Sequence, residues 1–116
     1  MSVLDWLKQP EAPPAEARLE AAVVAALRTV FDPEIPVNIY DLGLVYALDV
    51  GADGQVRIRM TLTAPACPVA QTFPAKVAEV VRQVEGVTEV AVDLVWEPRW
   101  TREMMSEAAR LQLGLL

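Results

Sequence analysis

Leu19, Ala22, Val23, Ala26, Leu27, Val30 and Phe31 recur with helical spacing on one stripe, while Arg18, Glu20 and Arg28 lie off it. The pattern predicts a helix over about residues 15–31, ended by Pro33, which disfavours helix at Asp32. The period then changes to two. Leu44, Tyr46, Leu48 and Val50 alternate with Val45, Ala47 and Asp49. Val56, Ile58, Met60 and Leu62 alternate with Arg57, Arg59, Thr61 and Thr63, an apolar face against a polar one. These are strands over about 44–50 and 55–63. Gly51-Ala-Asp-Gly54 between them is hairpin chemistry, so the pair is antiparallel.

Helical spacing returns at Val69, Phe73, Val77, Val80, Val81 and Val84, predicting a helix over about 68–85 with Pro74 inside it and Gly86 as its stop. A third strand follows over about 88–96, with Val90, Val92, Leu94 and Trp96 on one face. Strand, helix, strand implies a right-handed crossover, so the second and third strands run parallel. Thr101 reads as the cap of a short helix over about 102–112, its apolar side Met104, Met105, Ala108, Leu111 and Leu115. The fold class is a two-layer α+β domain: a small mixed three-stranded sheet, two main helices on one face, and a short C-terminal helix. It spans residues 15–116. Residues 1–14 form an N-terminal appendage with a Pro-rich linker, whose Val3, Leu4, Trp6 and Leu7 pack on the domain, dock a partner or second copy, or stay disordered.

Composition narrows the chemistry. The chain has 116 residues, one cysteine, no histidine and a net charge of -6. Acidic balance with scattered basic residues argues against nucleic-acid binding. No apolar stretch approaches a membrane span, and with no signal-like segment and one thiol a cytoplasmic location is expected. Without histidine, no Cys-His nucleophile pair forms within the chain, and one cysteine cannot build a closed zinc site. An enzyme is therefore not expected.

Two segments remain rich in chemistry. Asp32-Pro-Glu-Ile-Pro-Val-Asn-Ile-Tyr-Asp-Leu-Gly43 is a long loop holding Asp32, Glu34 and Asp41 among large apolar residues. Its bland reading is that Ile35, Val37, Ile39 and Leu42 close the core while the carboxylates cap turns. Thr61-Leu-Thr-Ala-Pro-Ala-Cys-Pro68 joins the second strand to the second helix, with Cys67 at or beside the N-cap. There the helix dipole and unpaired N–H groups favour thiolate. The bland reading of Cys67 is a small buried hydrophobe.

Both segments, in this order, together resemble the SufT-like family, with the cytosolic iron–sulfur targeting proteins of eukaryotes and the PaaD proteins among its relatives. The resemblance covers roughly Val23 to Trp96, and the stretch Trp100 to Arg110 resembles the tail of bacterial SufT-like members. It lacks the additional C-terminal cysteines of PaaD proteins. The resemblance implies an accessory role in assembling iron–sulfur clusters or delivering them to client proteins. Carried over by motif, Cys67 is the transient iron or cluster ligand, with Asp32, Glu34 and Thr63 lining the site. Its implied cargo is an iron–sulfur cluster or iron, and its implied partners are iron–sulfur client or scaffold proteins. A cluster takes about four ligands, so the others come from a second protomer, a client, a small thiol or the carboxylates; a homodimer is one such arrangement. The alternative is a protein–protein adaptor with a structural Cys67 that docks clients through the 32–43 loop.

Overall fold

The computed structural model describes the backbone of residues 15–63 and 67–114 and the side chains of all of these except 15 and 67–69. The N-terminal appendage, the Cys67 and Val69 side chains and Leu115 lie outside the described residues.

The elements are helix α1 (Ala15–Leu27), strands β1 (Val45–Val50) and β2 (Gln55–Met60), helix α2 (Cys67–Arg82), strand β3 (Glu89–Leu94), a 3-10 turn (Arg102–Met104) and helix α3 (Glu107–Gln112). The sheet order is β1-β2-β3, with β1 antiparallel and β3 parallel to β2. β2 is the hub. Val56, Ile58 and Met60 are buried, while Gln55, Arg57 and Arg59 are exposed. The buried face meets Val23 and Leu27 of α1 and Phe73, Val77 and Val81 of α2. The expected α+β architecture is the observed one.

Element ends differ from the periodic reading, each for a local reason. α1 stops at Leu27 because residues 30–32 pair with 37–39 instead. The Ile39 amide donates to the Val30 carbonyl at 2.8 Å, Phe31 bridges Asn38, and the Asp32 amide reaches Val37 at 3.2 Å. Phe31 thereby leaves the helical stripe and is 52% exposed. In β1 a bulge interrupts the register. Val45 faces Met60 and Ala47 faces Arg59, leaving Tyr46 as the extra residue. Tyr46 therefore does not share the Leu48 face; its hydroxyl donates to the Pro98 carbonyl at 2.7 Å. Burial raises the phenol's pKa above its ordinary value, which keeps it a neutral donor. β2 ends at Met60, and Thr61 is buried rather than on the open polar face. β3 ends at Leu94, which leaves Trp96 41% exposed.

The C-terminal segment is not one helix. Thr101 makes no side-chain cap, and Ser106 restarts the helix, its Oγ accepting from the Ala109 amide at 3.2 Å. The register change buries Met105 and Ala109 and leaves Leu111 62% exposed. This tail is tied to the 32–46 segment at several points. The Trp100 indole N–H donates to the Leu42 carbonyl at 2.7 Å, and the Ser106 amide donates to the Asp41 carbonyl at 2.8 Å. Gly43, at φ +80, passes so close to the Met104 carbonyl that a Cβ there would overlap it.

Gly43→Ala is expected to lower stability by more than about 2 kcal/mol in urea unfolding, since it strains the backbone and pushes off the tail. A loss below about 0.5 kcal/mol, the size of a routine surface change, would mean that the tail is not held there. Among the described residues, buried Thr61 Oγ1 finds no hydrogen-bond partner. Thr61→Val, which removes that unmet group at similar volume, is expected to raise stability by roughly 1 kcal/mol. A loss of similar size would show that the hydroxyl is satisfied in solution.

Candidate functional site

The sheet register decides which loops meet. β2 ends where β1 begins, and β3, parallel to β2, ends there too. The Thr61 amide donates to the Leu44 carbonyl at 2.9 Å, and the Val95 amide donates to the Met60 carbonyl at 2.8 Å. One end of the sheet therefore gathers the loop after α1, the junction from β2 to α2 and the start of the tail.

Within that end Asp32 organises its own loop. It is buried, and its Oδ1 accepts from the amides of Glu34 and Ile35, each at 2.8 Å. This is an Asx turn, and it fixes where Glu34 leaves the backbone. Farther along, Asn38 and Asp41 hold each other. The Asn38 side-chain amide donates to Asp41 Oδ2 at 2.8 Å, and Asn38 Oδ1 accepts from the Asp41 amide at 2.8 Å. Arg28 completes this side, with Nε 3.8 Å from Asp41 Oδ1 and its guanidinium 5.0 Å from the Tyr40 ring centre. Val37, Ile39 and Leu42 are buried in the core, so the turn-and-core reading of the loop holds for most of its residues.

Glu34 is the exception. It is exposed and, with Ile35 and Thr63, lines one side of a cavity of about 370 Å³. The other side comes from the tail: Trp100, Arg102, Met105 and Leu113. Two of the sequence-predicted residues, Glu34 and Thr63, thus share a cavity. Asp32 is not among its described lining residues and acts on the loop instead. Cys67 begins α2 on the backbone that continues from Thr63. A stretch from 63 to 67 spans at most about 14 Å.

The tail wall was missed in sequence. The apolar reading of 102–112 placed Met105 correctly on a packed side but attached no role to Trp100 or Arg102. The available signal was the indole, since a tryptophan placed in a polar tail usually finds a partner for its N–H. Among the described residues, no three His, Cys, Asp or Glu side chains gather to hold a metal ion. Nor is any helix among them long and apolar enough to cross a membrane.

A model of the family described as "Iron-sulfur cluster assembly protein" matches residues 20–92. An "Fe-S protein maturation auxiliary factor" of Porphyromonas gingivalis is 57% identical over 97 residues, which is 84% of this chain and 92% of that protein. The "Fe-S protein maturation auxiliary factor YitW" of Bacillus subtilis is 40% identical over 100 residues, 86% of this chain and 98% of that one. Among solved structures, a "Domain of Unknown Function DUF59" from Bacillus anthracis superposes with a TM-score of 0.78 at 36% identity, covering 88% of this chain and 97% of that one. With its hub strand, its gathered loops and these relatives, the chain belongs to the iron–sulfur cluster assembly protein family.

Proposed function

We propose that the protein is an accessory factor that helps iron–sulfur clusters reach client proteins, with Cys67 as a transient iron or cluster ligand. The observation that carries this reading is positional. Cys67 opens the 16-residue helix α2 at the sheet end where the loop and the tail form the cavity. The N-terminal end of a helix carries roughly half a positive charge and unpaired N–H groups, which favour a thiolate. Thiolate is the form that binds iron in clusters.

Ligand arithmetic makes the role transient. One thiolate leaves most of a cluster's coordination to others, so a partner chain, a client or a small thiol completes it. A carrier benefits from that incompleteness. A cluster held by a full protein-derived ligand set leaves slowly, whereas one that shares ligands with a client can pass by ligand exchange. The relatives named as maturation auxiliary factors support an accessory rather than a catalytic role. The partners are then iron–sulfur client or scaffold proteins, and the place of action is the cytoplasm. Glu34 and Thr63 would face whatever occupies the cavity beside the ligand, and Asp32 would hold Glu34 in place through its turn.

Cys67→Ser is expected to reduce activation of an apo iron–sulfur client by about tenfold or more, given that even groups supporting a metal ligand are worth 10–100-fold. Far-ultraviolet circular dichroism and the urea midpoint should stay close to those of the unaltered protein. Full activation by Cys67→Ser would overturn the ligand role and leave the adaptor reading, in which the 32–43 loop docks clients.

A further inference from the structure

The cavity between Glu34 and the tail carries two opposite charges that meet no ion-pair partner among the described residues. Among the described residues the structure holds one ion pair, Arg28 with Asp41. Glu34 and Arg102 line the same cavity, yet neither makes an ion pair there. Both stand on anchored backbone. The Glu34 amide is held by Asp32 Oδ1 at 2.8 Å, and the Arg102 carbonyl accepts from the Met105 amide at 3.1 Å. Arg102 has a neighbouring acid in Glu103, but that carboxyl is held below its usual range chiefly by its own backbone amide and the Thr101 hydroxyl. Arg102 is the smallest of the causes. The other lining residues are apolar, Ile35, Trp100, Met105 and Leu113, with one hydroxyl residue, Thr63.

A carboxylate and a guanidinium lining one small cavity suit a ligand that carries both charges. We propose that this cavity binds a small zwitterionic α-amino acid, its ammonium at Glu34 and its carboxylate at Arg102. The volume of about 370 Å³ accommodates such a molecule with water to spare. Its side chain would lie over Thr63, on the backbone leading to Cys67. Binding itself does not depend on the cluster reading. With L-cysteine as the occupant, the use of its sulfur as a second thiolate for a cluster rests on that reading. It would supply from solution one of the ligands the chain lacks.

This assignment also locates what tunes the site. The family match ends at residue 92, whereas Trp100, Arg102 and Met105 lie beyond it. The site therefore joins Glu34 and Thr63 of the family-matched stretch to a wall supplied by the tail.

The test is a nuclear magnetic resonance titration of the full chain, metal-free and under reducing conditions. The probes are L-cysteine, L-serine, N-acetyl-L-cysteine and L-cysteine methyl ester. L-cysteine and L-serine should shift the amides of Glu34, Thr63 and Arg102 saturably, with a Kd on the order of 1 mM, as expected when two solvent-screened charges contribute. The acetylated and esterified forms should each bind roughly fivefold more weakly, the factor that an ion pair at the upper end of the exposed range supplies. Glu34→Gln should abolish the preference for L-cysteine over its N-acetyl form. Arg102→Gln should abolish the preference for the acid over the ester. Equal binding of free and blocked forms, unaltered preferences in the two variants, or no saturable shift at those amides would overturn the proposal. Since no iron is present, none of these results bears on Cys67 as a cluster ligand.

Discussion

The pairing of β2 with both of its neighbours is the constraint on which the remainder depends. An antiparallel partner on one side and a parallel partner on the other force three chain ends to one edge of the sheet. The hairpin Gly51–Gly54 makes the first pairing cheap in loop entropy, and α2 supplies the longer crossover that the second requires. Gly54, at φ +89, lets the hairpin pass beneath the Gly86 turn, and the Thr88 amide donates to its carbonyl at 2.9 Å. With that far end fixed, the opposite end is left to the loop, the junction and the tail.

That end combines two kinds of holding. Apolar burial of Val37, Ile39, Leu42 and Met105 supplies most of the favourable free energy, at roughly 1.5–3 kcal/mol for each large side chain fully removed from water. Directed hydrogen bonds then choose the arrangement. The Trp100 indole and the Ser106 amide meet the carbonyls of buried Leu42 and half-buried Asp41, and the Tyr46 hydroxyl reaches the carbonyl of exposed Pro98. The tail is thus part of the domain's packing and at the same time the far wall of the cavity. A change in the tail should be felt at the site even though it lies outside the family-matched stretch.

Much of the fold was legible because its signals are periodic. The alternation from Val56 to Met60 gave the face of β2 directly, and the stripe of Phe73, Val77 and Val81 gave the packed side of α2. Failures occurred where a local hydrogen bond overrode the period. Val30 and Phe31 fit the helical stripe but pair with the loop, and Tyr46 fits the strand alternation but occupies a bulge. The site was legible only in part. Glu34 and Thr63 came from motifs and meet at the cavity, whereas Asp32 turned inward to its own loop. Arg102 and Trp100 were not picked out, since their role arises from a contact across more than fifty residues of chain that no local pattern encodes.

In the proposed role Cys67 is an incomplete ligand that needs a second contributor. Anaerobic reconstitution with iron and sulfide, read by ultraviolet-visible absorption and native mass spectrometry, tests that most directly. The account predicts cluster absorption that depends on Cys67 and resides on a species of two chains, a chain with its client, or a chain with a bound thiol. A fully occupied cluster on a single chain with no added thiol, or one retained by Cys67→Ala, would contradict it.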